Sequence, residues 1–278
     1  MTEPRRPAFA GAFYPADGAA LAKAVEAAFL DPRGPGELPT RHRTRERSVR
    51  AIVVPHAGYV FSGPIAALAY RRVAADAAAR SLLVLGVDHN GLGPAAALSE
   101  RPWLTPLGLV PGDSDLSSAL TKGPVVVDEA AHRREHSIEV QLPFLQYTEP
   151  APRVVPLQVR YGSLEDLLEI ASVVRAAVAG RDVLLVASTD FSHYVPPETA
   201  RRLDALAIRE IERRDAGALY RTVRDREISM CGVAPTTVLL AALADEPLTA
   251  RTLAWGHSGE PEPMTDVVGY ASVVLERA

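Results

Sequence analysis

The sequence predicts a layered α/β architecture around a largely parallel or mixed central sheet. Three observations predict it. Short β-branched runs alternate with amphipathic segments along most of the chain. Those runs are apolar on both faces, as strands inside a parallel sheet are, and do not alternate in and out like an antiparallel sandwich. And 278 residues, 47% of them hydrophobic, are enough for one large core.

Taken in order, LAKAVEAAFL puts Leu21, Val25, Ala28 and Phe29 on one helical face. DPRGPGELPTRHRTRERS (31–48) is rich in Pro, Gly and charge and reads as a surface loop. VRAIVVP is a buried strand, and GPIAALAYRRVAA is a helix with Ser62 before it and Pro64 at its first position. SLLVLGV and GPVVVD are further strands. HSIEVQLPFLQY has helical spacing at Ile138, Leu142 and Leu145, with Pro143 expected to kink or shorten it.

RVVPLQV is a strand weakened by Pro156. In SLEDLLEIASVVRAAVAG, Ser163 and Asp166 make a capping-box pattern, and Gly180 closes the helix. Its predicted stripe is Leu164, Leu167, Leu168, Ala171 and Val174. RDVLLVAS is a strand, ETARRLDALAIREIERRD an amphipathic helix, and the apolar run after Cys231 another helix. TARTLAW and VVGYASVVL read as closing strands.

The bulk properties narrow the functional classes. A net charge of −4 gives no reason to expect a nucleic-acid or acidic-membrane partner. Lys23 and Lys122 are the only lysines, a compositional bias rather than a functional signal. A single cysteine excludes an internal disulfide. No apolar run is long enough to span a bilayer, and MTEPRRPAFAGAFYPADG lacks a signal-peptide core, so a cytoplasmic location is expected. There is no internal repeat, nucleophile elbow, P-loop or dinucleotide fingerprint.

The candidate chemistry sits where buried strands end. AIVVPHAGY carries His56, LLVLGVDHNG carries Asp88 and His89, and LLVASTDFSHY carries Asp190 and His193. Cys231, in MCG, stands at the start of a helix. In open α/β sheets, ligands bind beyond the carboxyl ends of the strands, so these loops can converge. Imidazole, thiolate and carboxylate are the usual ligands of first-row transition metals. Two histidines plus one anionic ligand would leave open positions for substrate, with the remaining His and Asp handling protons.

Each residue also has an ordinary use. His56 could cap a turn, Asp88 and Asp190 could cap helices, His193 could be a satisfied core histidine, and Cys231 a small buried residue. A cysteine-hydrolase reading also stays open, because a thiol at a helix start is expected to ionise more easily. The stretch HRREH (132–136) matches the inverted zinc-protease pattern, with His132 and His136 as ligands and Glu135 as base. That pattern needs one helix running through both histidines. The expected helix begins near Ser137, so a polar loop is the favoured reading.

The ordered set GAFYPAD, VPHAGYVFSGPIAALAY, LLVLGVDHNG, EHSIEVQLPFLQ, VASTDFSHY, MCGVAPTTVLL and VVGYASVVL resembles the Memo family over nearly the whole chain. The resemblance implies a single domain over residues 1–278 with a three-layer α/β sandwich fold, its central sheet mainly parallel or mixed, similar to the class III extradiol dioxygenases. It also implies a site for iron or copper (zinc is an alternative) with a redox or oxygenase-like role on an unknown small-molecule substrate. Carried over by motif, the metal ligands would be His56, His89 and Cys231. His193 and Asp190 would line the pocket as acid/base groups, with His136 and Glu139 close by. Where family members commonly carry two adjacent histidines, this chain has His89 followed by Asn90, so a proton relay through the second is not available.

The family's eukaryotic members imply phosphotyrosine-peptide binding, and its prokaryotic members a functional link to a radical-SAM protein. A non-catalytic metal- or phosphopeptide-binding module and a metal-dependent or cysteine hydrolase are the alternative functions.

Overall fold

The structure, a computed structural model, describes residues 3–40 and 46–277. Its strands are β1 (Val49–Val54), β2 (Ser81–Val87), β3 (Ala96–Leu98), β4 (Trp103–Thr105), β5 (Gly108–Val110), β6 (Val125–Val127), β7 (Val154–Val159), β8 (Val183–Ser188), β9 (His193–Val195), β10 (Leu248–His257) and β11 (Val267–Arg277). Its helices are α1 (Gly18–Leu30), α2 (Tyr59–Ala75), α3 (Ser114–Leu120), α4 (Glu129–His132), α5 (Leu142–Thr148), α6 (Leu164–Val178), α7 (Pro197–Glu212), α8 (Ala216–Asp225) and α9 (Val233–Ala242).

One mixed sheet runs β10-β11-β1-β8-β2-β7-β3-β6, with β9 added alongside β11, while β4 and β5 form a separate hairpin. The four central strands, β1, β8, β2 and β7, are mutually parallel. Their side chains alternate between two cores, which is why the sequence runs are apolar on both faces. Ala51, Val53, Leu83, Leu85, Leu185 and Ala187 face one core, packed with α6, α8 and α9. Ile52, Val54, Leu82, Val84, Leu184 and Val186 face the other, packed with α1, α2 and α5. The fold is therefore an α/β sandwich with a large, mostly parallel centre flanked by helices, as the sequence predicts.

Three prolines show how the chain realises the sequence reading. Helix α2 starts at Tyr59, and Pro64 lies inside it rather than at its first position. A proline there removes the N–H that would bond to the Val60 carbonyl. Arg33 replaces it, its Nη2 donating to that oxygen at 3.2 Å, and Tyr59 N–H donates to the Phe13 carbonyl at 2.9 Å. Pro143 shortens its helix, as expected, and does not kink it. A 3-10 turn (Glu139–Gln141) leads into α5, whose first turn contains the proline. Pro156 sits in the middle of the sheet, opposite the end of β3. Ser99 N–H donates to its carbonyl just past Leu98, so the missing N–H falls where that ladder is ending.

The α6 capping box forms with both reciprocal bonds. Its buried stripe is Leu167, Ile170, Ala171, Val174, Ala177 and Val178, while Leu168 is exposed. The predicted 31–48 loop connects α1 to β1, and its residues 41–45 lie outside the described residues. Among the described residues, no helix is long and apolar enough to cross a membrane.

Candidate metal centre

Because β1, β8 and β2 are parallel, they deliver the residues that follow them to one edge of the sheet. His56 stands two residues beyond β1, His89 two beyond β2 and Asp190 two beyond β8. The wall opposite is the turn from His132 to Ser137, which is laid directly onto β2. Ser137 Oγ accepts the Val87 N–H at 2.9 Å. Gly86 makes the contact feasible, since a Cβ there would stand 2.3 Å from Ile138 Cγ1 and 2.7 Å from Ser137 Oγ.

Hydrogen bonds fix which ring nitrogen faces inward for His56 and His89. Ser188 Oγ donates its one proton to the Ser137 carbonyl at 2.6 Å and accepts from Gln141 Nε2 at 2.8 Å. Its contact with His56 Nδ1 at 3.0 Å must therefore be donated by the histidine, leaving the Nε2 lone pair free. His56 is 2% exposed, and burial, aided by neighbouring His89, pulls its pKa down to about 3. It is a neutral imidazole at pH 7.

Glu135 organises the other wall. It is fully buried. Oε1 accepts from His89 Nδ1, His136 N–H and Ser137 N–H, each at 2.9 Å, and Oε2 accepts the His89 N–H at 3.0 Å. Burial alone would raise its pKa; the bonds from His89 and Ser137 outweigh burial and hold it at about 2. His89 is thereby turned so that Nε2 points inward. Its ring stacks on His136, centroids 4.5 Å apart and planes 15° apart. His136 Nδ1 lies 3.5 Å from the same Glu135 oxygen. Burial, then His56, lowers the His136 pKa to about 3.

The result is a cluster of three neutral or carboxylate-backed imidazoles. His56, His89 and His136 each offer a ligand atom, and these atoms all lie within 4.8 Å of one another. The His56 ring is perpendicular to both others, at 89°. Three imidazole donors brought together, with the outer nitrogens of His56 and His89 already bonded, suit a first-row metal ion.

Cys231 stands beside the cluster. Its Sγ lies 3.2 Å from His56 Nε2 and accepts the Asp190 N–H at 3.2 Å. Gly232 seats it against the sheet, since a Cβ there would be 2.3 Å from Thr189 Cβ. Burial, then the Asp190 carboxylate, pushes the thiol pKa up, against the lowering expected from a helix start. Without a metal, burial thus favours the neutral thiol. Asp190 is buried, which raises its pKa, and Oδ1 accepts the His56 N–H at 2.8 Å. His193 turns Nδ1 to the carbonyls of Phe191 (2.7 Å) and Ser229 (2.8 Å), so its proton resides there and Nε2 is the acceptor nitrogen.

Two sequence candidates lie elsewhere. Glu139 faces away from the histidines, toward the amino-terminal segment, where it accepts from Arg5, Ala8, Phe9 and Tyr14. His132 is fully buried, with Nε2 3.0 Å from the Ala97 carbonyl. Helix α4 ends at His132, so HRREH does not present two histidines on one helix face and the zinc-protease pattern does not form. Two residues that orient the site, Glu135 and Ser188, escaped the sequence reading in those roles. Asn90, where a second family histidine is expected, donates from Nδ2 to the Arg134 carbonyl at 2.8 Å.

A family model described as Memo-like protein matches residues 5–274. The chain belongs to the Memo-like protein family. It is 37% identical to a MEMO1 family protein of Methanococcus maripaludis, over 98% of this chain and 99% of that one. Relatives from Methanopyrus kandleri (38%, covering 98% and 99%) and Aeropyrum pernix (39%, covering 97% and 98%) carry the same family name. Among solved structures, the crystal structure of an uncharacterized Escherichia coli K12 protein resembles this Memo-like chain with a TM-score of 0.55 at 15% identity. It covers 81% of this chain and 99% of that one, a likeness of fold.

Proposed function

We propose that this Memo-like protein holds an iron or copper ion at the histidine cluster and acts in redox or oxygenase-like chemistry on a small molecule. The convergence of His56, His89 and His136 within 4.8 Å is the observation that carries it. His56 and His89 are ligands from strand ends. His136 is the third nitrogen donor, and Cys231, within reach of the same His56 nitrogen, is the sulfur donor expected from the sequence. A donor set of imidazoles with a thiol favours copper, iron or zinc over magnesium or calcium. Such an ion would supply Lewis acidity or electron transfer.

The protein's own groups do the rest. Asp190, held next to His56, and His193, with its free Nε2, are the groups placed to hold or move a proton. A groove of about 650 Å³ is lined by Phe9, Asn90, Leu92, Arg133 and Arg134; Phe9, whose ring lies 5.2 Å from that of His136, ties it to the cluster, and it would serve as a route for substrate. A functional link to a radical-SAM protein remains part of this proposal, resting on the family resemblance alone.

The test is metal content after anaerobic purification. About one ion per chain is expected, lost in His56→Ala and His89→Ala, and held more weakly in His136→Ala and Cys231→Ser. Unchanged content in all three histidine variants would sink the assignment. Oxygen uptake with a panel of catechols and thiols then separates a catalytic site from a binding module.

A further inference from the structure

We infer that the amino-terminal segment is a working part of the metal centre, with Arg5 as the residue that positions His136. The inference rests on the metal reading above. Arg5 is 7% exposed, and its guanidinium spans the turn that carries His136. Nε and Nη2 donate to the His132 carbonyl at 3.1 and 3.0 Å, and Nη2 also donates to the Glu135 carbonyl at 2.9 Å. Nη1 pairs with Glu139. The guanidinium carbon lies 4.2 Å from the Trp103 ring centroid. One side chain thus clamps both ends of residues 132–135 and anchors to the turn that follows.

Glu139 completes the clamp. Its Oε2 also accepts the Ala8 N–H at 2.9 Å, and Oε1 accepts the Phe9 N–H at 2.8 Å and the Tyr14 hydroxyl at 2.5 Å. The segment this buried carboxylate holds presents two rings to His136. Phe13 lies at 4.5 Å and Phe9 at 5.2 Å between centroids. His136 is therefore packed between these phenylalanines and His89. The other two histidines follow strands β1 and β2 directly. Arg5 should act on metal binding through the turn it clamps, chiefly through His136 and in part through His89, whose Nδ1 bonds to Glu135 of that turn, and not through His56. Lysine cannot substitute, because a single ammonium cannot span two carbonyls and a carboxylate as a guanidinium fork does.

The test is a double-mutant cycle read by Zn(II) affinity, with the metal alone as probe and a chelating indicator as competitor. Arg5→Lys is one arm. Arg5→Met with Glu139→Gln is the other, because it leaves no buried unpaired charge. Each is expected to weaken zinc binding about tenfold, as loss of outer-shell support typically does, but clearly less in a His136→Ala background, where only the share carried by Glu135 and His89 remains. Equal losses in both backgrounds, or no loss in the unsubstituted one, would overturn the inference.

Amide exchange in metal-free protein tests the clamp separately. Exchange across 132–137 should rise about tenfold in the variants while β1 and β2 stay protected. Unchanged exchange there overturns the inference whatever the zinc result. If the unsubstituted protein takes up no zinc, it is the metal reading that fails, and the exchange data still decide whether Arg5 holds the turn.

Discussion

The two walls of the metal centre are built differently. On one, His89 and His136 share the carboxylate of Glu135, stacked ring on ring. On the other, His56 leans on a neutral hydroxyl, that of Ser188, and faces the thiol of Cys231. A carboxylate behind an imidazole raises its basicity and strengthens it as a donor; a hydroxyl orients the ring but adds little charge. The first wall should set how tightly a metal is held. The second, with its thiol and with Asp190 beside it, should set what the metal does.

The largest expected effect treats the walls alike. In metal-free protein, His56 and His136 have pKa values near 3 and His132 near 4, all held down mainly by burial. The unfolded chain takes up protons below its ordinary histidine pKa, about 6.5, while the folded chain does not. Stability should therefore be complete above pH 6.5 and fall on acidification, by about 1.4 kcal/mol per pH unit for each histidine. That loss should end near pH 4 for His132 and near pH 3 for the other two. Glu135, with its pKa lowered to about 2, adds a further loss between the ordinary carboxylate range and that value. Urea unfolding at pH 7.5, 6 and 5 in chelator measures the slope; a flat profile would contradict the neutral buried imidazoles. His136→Gln should remove about one histidine's share of that slope.

The second prediction separates the walls. Glu135→Gln should weaken metal binding roughly 10- to 100-fold, whereas Ser188→Ala should cost only a few-fold. Titration with zinc against a competing indicator would reverse the comparison if Ser188→Ala proved the more damaging. The smallest effect is a control outside the centre. Ser163→Ala removes the α6 cap and should cost about 1 kcal/mol of stability with no change in metal affinity. A shift in affinity there would mean that affinity tracks global stability rather than the walls.

The difference between the walls also explains what could be read from the sequence. His56 and His89 were legible because each follows an apolar strand by two residues, and sheet geometry alone brings such positions together. His136 was legible as a neighbour of the site, but its place within the cluster depends on the 132–137 turn lying across β2. That register comes from Ser137 meeting Val87, fifty residues away in sequence. Glu135 looked like a protease base because i, i+4 spacing is a local pattern, and local patterns cannot show that α4 stops at His132. Glu139 is identified by partners more than a hundred residues distant, among them Arg5 and Tyr14. The start of α2 escaped in the same way. Pro64 is tolerated inside α2 because Arg33, from another part of the chain, serves the orphaned Val60 carbonyl.

Gly86 and Gly232 give the centre a fixed gauge. At each, main chain meets its neighbour so closely that a single methyl would collide, at Gly86 with Ile138 and Ser137 and at Gly232 with Thr189. The span between the walls is thus a property of the scaffold and not of the donor side chains. Exchanging one donor for another should change which element binds, while the radius that fits stays the same. Widening that radius would require rebuilding the backbone at positions 86 or 232.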